Sequence, residues 1–521
     1  MSGFLLKRIV GFPSSPLGRL DRAQEDVLHS QRLLLQDLIR RAKDTAWGRA
    51  HGYDEILRSD EPVSAYQERV PLSTAEDFKP YVARTKAGEE NVLWPGRTRH
   101  FAVSSGTASR GRLIPVSEEM EHAMAQAGMI PGLQYVRSTG SASFLGGKIL
   151  MLPGAVAPEP DQPDVLVGEV SALQALGAQP ALVRRFQAVP EELAMIEDWE
   201  EKVERVAACV ADQDVRAVIV VPSWAPLLFE AVLQHASRAR RARVTSLREI
   251  WPRFQVFFGG GVAMSAYRGI IEHYAGSDID FIESYSASEG VFAFQDDPAS
   301  TELAVHLVSG VFYEFVRLED RHVDRPRRHT LADVELGVDY ALHVSTCAGL
   351  WGYPLEDVLQ FTSLHPPRLR VRGRTISMLD RAGERVCASE VAEALRAASQ
   401  LTGVRVRHHH VTYASASIEM PQHEWLVELA GFARDSDSLA GAVDAYLCEH
   451  NRHYGKRRRA HAIAPPIVTL LPSGTSLEYL RTKKGRLTSQ SKLIAVNEAR
   501  TVAEGLAKAA SVVQRRSANS H

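Results

Sequence analysis

The fold class follows from two segments, VFFGGGVAM (256–264) and DIDFIESYSASEG (278–290). Each begins with a short apolar run and continues into a loop of small residues, which is the pattern of a buried β-strand followed by a turn. A third apolar run, AVIVVP (217–222), ends at a proline. Amphipathic stretches at 21–46 and 187–212 have the period of helices. Strands that alternate with helices predict an α/β fold, in which ligands bind at the carboxyl ends of the strands.

The composition excludes several classes of protein. The chain of 521 residues has 61 Lys and Arg against 63 Asp and Glu, which argues against general nucleic-acid binding, and 45% of its residues are hydrophobic, too many for a disordered chain. No apolar run reaches the roughly 20 residues that span a bilayer, and residues 1–18 show no clear signal-peptide cleavage site. The four cysteines lie far apart, which argues against a disulfide scaffold and a structural zinc site. We therefore expect a cytoplasmic protein without membrane or nucleic-acid partners.

Length and pattern predict two unequal domains. At about 100–200 residues per domain, the chain is long enough for several. The segment RGRTISMLDRAGERV (372–386) is typical of a strand, a turn and a second strand. A strand at 424–430 and a helix at 435–452 follow it. These patterns predict a large N-terminal α/β domain over residues 1–372 and a small, mobile C-terminal α+β domain over residues 373–521.

The segment FAVSSGTASRGRLIPVS (101–117) places a serine and glycine loop directly after a short apolar strand. In Ser104-Ser105-Gly106-Thr107, glycine lets the backbone approach an anion closely, and hydroxyl and backbone N–H groups supply neutral donors for phosphate oxygens. Arg112 adds a guanidinium that can make two hydrogen bonds to one phosphate. The loop matches neither GxxxxGK[ST] nor GxGxxG. Its alternative interpretation is an ordinary surface turn.

Two further segments carry side chains that suit a nucleotide. In ESYSASEG (283–290), Tyr285 offers a flat face for a purine, and Glu289 is a hard oxygen ligand suited to Mg²⁺. In AGLWGYPLEDVLQFT (348–362), Asp357 could accept hydrogen bonds from two ribose hydroxyls. Taken alone, each segment is also compatible with a loop that carries an exposed carboxylate.

In order and spacing, the three segments resemble the auxin-responsive acyl-acid amido synthetases, the plant hormone-conjugating enzymes and their bacterial relatives in the acyl-adenylate-forming superfamily. The family's Ser-Ser-Gly-Thr motif matches residues 104–107, and its Tyr-x-x-Ser-Glu motif matches residues 285–289. Its Tyr-Arg-x-Gly-Asp motif falls on residues 353–357. Further similar segments, among them WPRFQVFFGGGVAMSAYR (251–268), extend the likeness to nearly the whole chain.

The resemblance implies the acyl-adenylate-forming architecture, with ATP bound between a large and a small domain. It implies an ATP-dependent ligase that converts a carboxylic acid into an acyl-adenylate, releases pyrophosphate, and transfers the acyl group to an amine such as an amino acid, releasing AMP. ATP and Mg²⁺ are then required, and Glu289 is expected to face the metal as well as the reaction. The residues expected to bind ATP are Ser104, Ser105, Gly106, Thr107, Arg112, Tyr285, Ser288, Asp357 and Arg374.

Lysine is scarce, which narrows the choice of a catalytic amine. Only 11 of the 61 basic residues are lysine, and none lies between Lys202 and Lys456. The resemblance implies that a lysine of the C-terminal domain neutralises charge on the carboxylate and the α-phosphate. Lys492, in GRLTSQSKL (485–493), matches the family's Gly-Gly-Gln-His-Lys segment and is the first candidate. Lys484 is the second, and a solvated lysine on a basic loop is the alternative.

The third motif departs from the family pattern. Gly352 stands where the family has an arginine, Pro354 replaces the motif arginine, and Glu356 replaces the glycine before the aspartate. We expect Arg372 or Arg374 to supply the missing cation.

Three functions are compatible with the sequence. The first is the amide-forming ligase, acting on small molecules as a monomer or homodimer. The second is an adenylating enzyme of a specialised biosynthetic pathway that uses a thiol or an unusual nitrogen as acceptor. The third is a nucleotide-binding protein with impaired catalysis. A metal site at His408-His409-His410 is not expected, because successive side chains of a strand point to opposite faces.

Overall fold

The computed structural model describes residues 12, 14–104, 112–176, 181–194, 196, 198–321, 323–374, 378–415, 420–430, 436–484, 487 and 491–518. Its α-helices are α1 (Pro16–Glu25), α2 (Val27–Ala42), α3 (Ala46–Ala50), α4 (Tyr53–Leu57), α5 (Pro62–Arg69), α6 (Ala75–Lys86), α7 (Glu118–Thr139), α8 (Val170–Leu176), α9 (Ala181–Phe186), α10 (Glu191–Ala194), α11 (Trp199–Val210), α12 (Ala225–Arg240), α13 (Arg268–Ala275), α14 (Ala388–Thr402), α15 (Ser436–His450), α16 (Arg452–Arg459), α17 (Thr475–Lys484) and α18 (Thr501–Ala518).

The described strands are β1 (His100–Val103), β2 (Leu113–Val116), β3 (Lys148–Met151), β4 (Val156–Glu159), β5 (Gln162–Gly168), β6 (Val215–Ile219), β7 (Val256–Gly260), β8 (Asp280–Ala287), β9 (Gly290–Phe294), β10 (Leu303–Val305), β11 (Val311–Arg317), β12 (Asp339–Thr346), β13 (Tyr353–Leu364), β14 (Pro367–Arg374), β15 (Met378–Leu379), β16 (Val386–Cys387), β17 (Val406–Tyr413), β18 (Gln422–Leu429) and β19 (Ala464–Leu471).

A large mixed sheet forms the centre of the N-terminal domain. In the described residues its strand order is β11-β12-β13-β14-β10-β9-β8-β7-β6-β3. The four strands from β8 to β3 are parallel, and the remaining neighbours are antiparallel. Helix α12 connects β6 to β7 and helix α13 connects β7 to β8, so the predicted alternation of strands and helices is confirmed. The apolar runs at 256–264 and 278–290 become adjacent parallel strands because both of their faces are buried.

Two stretches expected to be long helices are interrupted. The stretch 21–46 contains the end of α1 and all of α2, and Asp26 separates them with a non-helical backbone while its side chain accepts a hydrogen bond from the N–H of His29. The stretch 187–212 contains α10 and α11, and Asp198 caps α11 in the same way. Helical periodicity does not reveal these breaks, because an aspartate that caps a new helix leaves the apolar spacing almost unchanged.

A second, smaller sheet with strand order β2-β1-β5-β4 lies in the N-terminal domain. Strands β1 and β2 pair antiparallel, with Val103 opposite Leu113, and so they bracket the serine and glycine loop. The two ends of that loop are also joined by a 2.9 Å hydrogen bond from the N–H of Ser104 to the carbonyl of Arg112.

The smaller C-terminal domain is built on the sheet β17-β18-β19. Its own core includes Val391, Val411, Trp425 and Tyr454. Helices α17 and α18 contribute residues such as Leu480 to a core that also contains side chains of the N-terminal domain. Within the described residues, no group of three or more His, Cys, Asp and Glu side chains is arranged to hold a metal ion. Among the helices that the structure describes, none is both long enough and apolar enough to cross a membrane.

Candidate active site

The second and third sequence segments meet at a hydrogen bond between β8 and β13. The hydroxyl of Tyr285 donates to Oδ2 of Asp357 over 2.6 Å. Tyr285 is buried, and burial together with the neighbouring carboxylate of Asp357 raises the pKa of its hydroxyl, so it stays a donor. Burial raises the pKa of Asp357, and Arg374 and the Tyr285 hydrogen bond oppose this rise. An acidic side chain and an aromatic ring are therefore held together at one end of the large sheet.

Two arginines converge on the residue before Asp357. Arg112 donates to Oε1 of Glu356 over 2.6 Å, and Arg374 lies 3.8 Å from Oε2 of the same side chain. Arg374 also lies 3.5 Å from Oδ1 of Asp357. Arg372, the other candidate cation, donates instead to Glu390 over 3.0 Å. Of the two arginines considered from sequence, Arg374 is thus the one beside the candidate site.

Two residues at which the third motif departs from the family pattern, Gly352 and Glu356, have a left-handed backbone. Glu356 has φ +61°, a left-handed conformation that favours the glycine expected at this position. Gly352 has φ +53°, and a Cβ added to it would lie 2.9 Å from the carbonyl oxygen of Pro71. The residue at 352 therefore packs directly against a neighbouring backbone, where a larger side chain would require a rearrangement.

Glu289 lies in the turn between β8 and β9, where it is buried. Burial raises the pKa of its carboxyl group to about 7. A hydrogen bond from its own backbone N–H lowers this pKa, and the negative charge of Asp357 raises it further. The positive charges of Arg374 and Arg112 lower it. The next residue toward the N-terminus, Ser288, donates to the carbonyl of Val103 over 3.5 Å. This bond places the β8–β9 turn beside the end of β1, where the serine and glycine loop begins.

The donor set around Glu289 fits a divalent cation. A carboxylate is a hard oxygen ligand, and Mg²⁺ is commonly held by one or two carboxylates together with substrate phosphates. A bound cation would favour the ionised form of Glu289, whose charge burial otherwise disfavours. Asp357 acts on Glu289 as a second nearby negative charge.

The serine and glycine loop itself is described only at its two ends. Ser104 and Arg112 lie in the described residues and are hydrogen-bonded through their backbones. Ser105, Gly106 and Thr107 lie outside the described residues. The role of these three residues in binding phosphate stays a prediction.

Lys492 reaches the same end of the large sheet from the C-terminal domain. Its Nζ donates to the carbonyl of Gly261 over 3.3 Å, directly after β7. Gly261 has φ +82°, and a Cβ there would lie 2.6 Å from that nitrogen. Since Gly260 is paired with Ser284 on β8, the lysine lies at the carboxyl ends of the two strands, one of which carries Tyr285. The side chain of Lys484 falls outside the described part of the chain.

Sequence reasoning missed one titratable residue in this region. Glu283 lies on β8 two residues before Tyr285, and the backbone N–H of Met264 donates to its carboxylate over 3.3 Å. Burial raises the pKa of this carboxyl group to about 7, and that hydrogen bond opposes the rise. Its spacing from Tyr285, which places both side chains on one face of a strand, is the signal that could have revealed it.

Comparison with known families covers most of the chain. Residues 16–216 and 186–279 match the GH3 family N-terminal domain, residues 304–374 match the GH3 family central domain, and residues 389–500 match the GH3 family C-terminal domain.

Two rice proteins are among the similar curated sequences. The probable indole-3-acetic acid-amido synthetase GH3.1 of Oryza sativa subsp. japonica is 24% identical over 397 residues, which cover 63% of each chain. The chain thus spans somewhat less than two thirds of the length of this relative. The probable indole-3-acetic acid-amido synthetase GH3.4 of the same organism is 24% identical over 481 residues, which cover 78% of this chain and 75% of the relative.

Solved structures share the fold. The GH3.15 acyl acid amido synthetase has a TM-score of 0.74 at 16% identity and covers 94% of this chain and 95% of its own. A 2-hydroxyisobutyryl-CoA ligase in a postadenylation state has a TM-score of 0.56 at 15% identity over 92% and 91% of the two chains. The family resemblance and the predicted architecture of a large N-terminal and a small C-terminal domain are therefore confirmed. The protein belongs to the GH3 family, and it shares its fold with the GH3.15 acyl acid amido synthetase and the 2-hydroxyisobutyryl-CoA ligase.

Proposed function

We propose that this protein is an ATP-dependent ligase that joins a small carboxylic acid to an amine, with an amino acid as the preferred amine. The main support is the contact between Tyr285 and Asp357, which unites two motifs beside the end of the serine and glycine loop. The proposed reaction takes place in the cytoplasm, with the enzyme a monomer or homodimer and with no nucleic acid or membrane as a partner. We place the domain boundary between residues 372 and 373.

The first step activates the acid. A carboxylate oxygen attacks the α-phosphorus of ATP, a P–O bond forms, and the bond to pyrophosphate breaks. In this proposal the serine and glycine loop and Arg112 bind the phosphates, Tyr285 lies against the adenine, and Asp357 accepts hydrogen bonds from the ribose. Glu289 would hold Mg²⁺, which when bound supplies positive charge beside the phosphates. These groups act by positioning and by neutralising charge.

Lys492 is the proposed catalytic amine of that first step. Its ammonium group would lie between the incoming carboxylate and the α-phosphate and would reduce their mutual repulsion. The contact of its Nζ with the carbonyl of Gly261 supports this role, because it brings the side chain to the carboxyl ends of the parallel strands.

The second step forms the amide. The amine nitrogen attacks the acyl carbon of the adenylate, a C–N bond forms, the C–O bond to AMP breaks, and the nitrogen loses a proton. The adenylate makes this possible because AMP is a far better leaving group than oxide. A thiol or a different nitrogen could attack the same carbon, and an enzyme of a specialised biosynthetic pathway would use such an acceptor.

One observation favours a second candidate, a nucleotide-binding protein with impaired catalysis. Glu356 forms an ion pair with Arg112 and lies near Arg374, so it holds two cations that would otherwise face phosphate. ATP binding without pyrophosphate exchange on any acid would support this candidate.

The deciding experiment is acid-dependent exchange of labelled pyrophosphate into ATP. The acid panel begins with indole-3-acetic acid, which the names of the rice relatives contain, and with 2,4-DB, which is bound in a solved GH3.15 structure. Amino acids, other amines and coenzyme A are then supplied in turn, and AMP release is measured. Exchange with an acid and AMP release with an amino acid are expected. Release with coenzyme A alone would reject amide formation.

A pair of variants tests the role of Lys492 as the catalytic amine. Lys492→Ala is expected to slow pyrophosphate exchange by about 10²- to 10³-fold, the usual effect of removing one preorganised electrostatic group. Lys483→Ala is the matched control, because Lys483 lies over the ring of Tyr479, with 5.6 Å between its Nζ and the ring centre. Exchange at the parent rate in Lys492→Ala would remove Lys492 from the catalytic site.

A further inference from the structure

An ion pair joins the two domains. Arg407, on β17 of the C-terminal domain, donates through Nη1 to Oε2 of Glu230 on α12 over 3.2 Å and through Nη2 to Oε1. Tyr274, on α13, also donates its hydroxyl to Glu230. Only 16% of the Arg407 side chain and 28% of the Glu230 side chain are exposed. A two-pronged contact of this kind, shielded from water, fixes geometry more firmly than a surface pair does.

On the C-terminal side, hydrogen bonds link the strand that carries Arg407 to the segment that follows Lys492. Three residues after Arg407, His410 donates from Nδ1 to the carbonyl of Ile494 over 2.7 Å. The N–H of Val411 donates to the carbonyl of Ala495 over 2.8 Å, and the N–H of Asn497 donates back to Val411 over 3.0 Å. Strand β17 therefore holds a segment that begins two residues after Lys492.

On the N-terminal side, the ion pair is connected to the residue that Lys492 contacts. Helix α13, which carries Tyr274, begins directly after Tyr267, whose N–H donates to the carbonyl of Met264 over 3.0 Å. Met264 is three residues from Gly261, which accepts the hydrogen bond of Lys492. The Tyr267 ring centre also lies 6.5 Å from the ring centres of His408 and His409 on β17. Lys492 and Gly261, the two partners of this hydrogen bond, are thus each linked through a short chain segment to an element that contributes to the ion pair.

We propose that Glu230 and Arg407 are positioning residues, which hold the C-terminal domain so that Lys492 lies against Gly261. The inference rests on the proposed function only for its catalytic consequence, since the geometry does not depend on it. Other ion pairs also join the domains. Arg481 with Glu200 is 43% and 54% exposed, so we expect it to contribute far less. Arg372 with Glu390, 24% and 11% exposed, ties the residue just before the domain boundary to the first helix after it.

The first test measures the position of Lys492 without any substrate. The full-length protein is labelled briefly with an acetylating N-hydroxysuccinimide ester, and mass spectrometry gives the labelling rate of Lys492 relative to the exposed Lys456. Arg407→Ala and Glu230→Ala are expected to raise this ratio, because the Nζ of Lys492 would then be hydrogen-bonded to Gly261 for a smaller fraction of the time. An unchanged ratio in both variants would overturn the proposal.

The matched control removes a similar ion pair that lies within one domain. Arg458 donates to both oxygens of Asp444, Tyr454 donates to the same carboxylate, and 18% and 19% of the two charged side chains are exposed. Arg458→Ala should leave the labelling of Lys492 unchanged. An equal rise in Arg458→Ala would show a general loosening and would count against the positioning role. Glu230→Gln is a conservative variant that controls for misfolding. The exchanged pair, Glu230→Arg with Arg407→Glu, is expected to lower the labelling rate of Lys492 part of the way back to that of the parent.

The second test separates this proposal from the proposed function. Pyrophosphate exchange is measured for Arg407→Ala, for Lys492→Ala and for the double variant. If Arg407 acts through Lys492, the first substitution slows exchange in the parent and has no further effect in Lys492→Ala. If the slowing caused by Arg407→Ala and the slowing caused by Lys492→Ala multiply in the double variant, the positioning role is overturned. Exchange that is unchanged in Lys492→Ala alone would instead reject the catalytic role of Lys492, while the labelling result would still decide whether the ion pair positions it.

Discussion

The hydroxyl of Tyr285 and the carboxylate of Asp357 are joined by a 2.6 Å hydrogen bond, although the two residues are 72 positions apart in the chain. The bond joins β8 to β13, and strands β9, β10 and β14 lie between these two in the large sheet. Two motifs that are each weak evidence for a nucleotide site thus become parts of one arrangement.

Asp357→Ala should weaken ATP binding by about 1–3 kcal/mol, because a buried carboxylate that accepts hydrogen bonds from ribose would be lost. Isothermal titration calorimetry measures the affinity. Tyr285→Phe is the companion variant, since it removes the donor to Asp357 and keeps the ring that would face the adenine. We expect a smaller loss of affinity in Tyr285→Phe than in Asp357→Ala, and equal affinity of Asp357→Ala and the parent would exclude the ribose role.

Glu289 should make the stability of the protein depend on pH. Its pKa is about 7 in the folded protein against an ordinary value of 4.5, so the folded state binds the proton more tightly between these values. The free energy of unfolding contributed by this residue should therefore fall as the pH rises from about 4.5 to about 7. Glu289→Gln removes that fall and should be more stable than the parent at pH 8 by on the order of 1–3 kcal/mol.

Urea unfolding at pH 5 and at pH 8 measures this difference. Glu204→Gln, at an exposed position, supplies the control for replacing one carboxylate by an amide. A parent and a Glu289→Gln variant with the same pH profile would show that burial does not raise the pKa of Glu289.

Glu356 should oppose ATP binding, because its carboxylate pairs with Arg112 at 2.6 Å and adds negative charge next to Asp357. Glu356→Gly releases both Arg112 and Arg374 and also suits the left-handed backbone at this position. We expect tighter ATP binding in Glu356→Gly, by roughly one to two kcal/mol for charge-assisted contacts regained. Arg112→Ala should bind ATP more weakly than the parent. Weaker ATP binding in Glu356→Gly would show that the glutamate organises the site.

Gly352→Ala should destabilise the protein by about 1–3 kcal/mol, the cost of a left-handed conformation in a residue with a Cβ. The added carbon would also lie 2.9 Å from the carbonyl oxygen of Pro71. Gly441→Ala, in helix α15, is the control, because a Cβ there meets nothing within 4 Å. This control should gain up to about 1 kcal/mol in stability. Thermal unfolding measures the stability of both variants. An equal loss in the two would show that the left-handed backbone at residue 352 does not cause the loss.

Local pattern was sufficient to predict three strands of the large sheet. The apolar runs at 217–222, 256–264 and 278–290 became β6, β7 and β8 within a few residues of the expected bounds. Periodicity was insufficient at Asp26 and Asp198, where a capping side chain begins a new helix.

The choice between Arg372 and Arg374 shows where local pattern stops. The two residues lie two positions apart, in the segment RVRGR (370–374), and differ little in sequence context. The pairing of β13 with β14 shifts between Val358 and Leu359, so that Arg372 has no partner in the register and the strand bulges there. A bulge redirects side chains, and it turns Arg372 toward Glu390 and leaves Arg374 beside Asp357.

The sequence by itself determined the α/β class, the family and the residue types of the candidate nucleotide site, because these depend on short apolar runs and on contiguous motifs. Only the tertiary structure decided which cations meet Glu356, that Tyr285 bonds Asp357, and that Glu230 holds Arg407 across the domains. The contacts of Arg112 with Glu356, of Tyr285 with Asp357 and of Arg407 with Glu230 join residues that are 72 to 244 positions apart. Their geometry depends on strand register and domain packing, which no local pattern encodes.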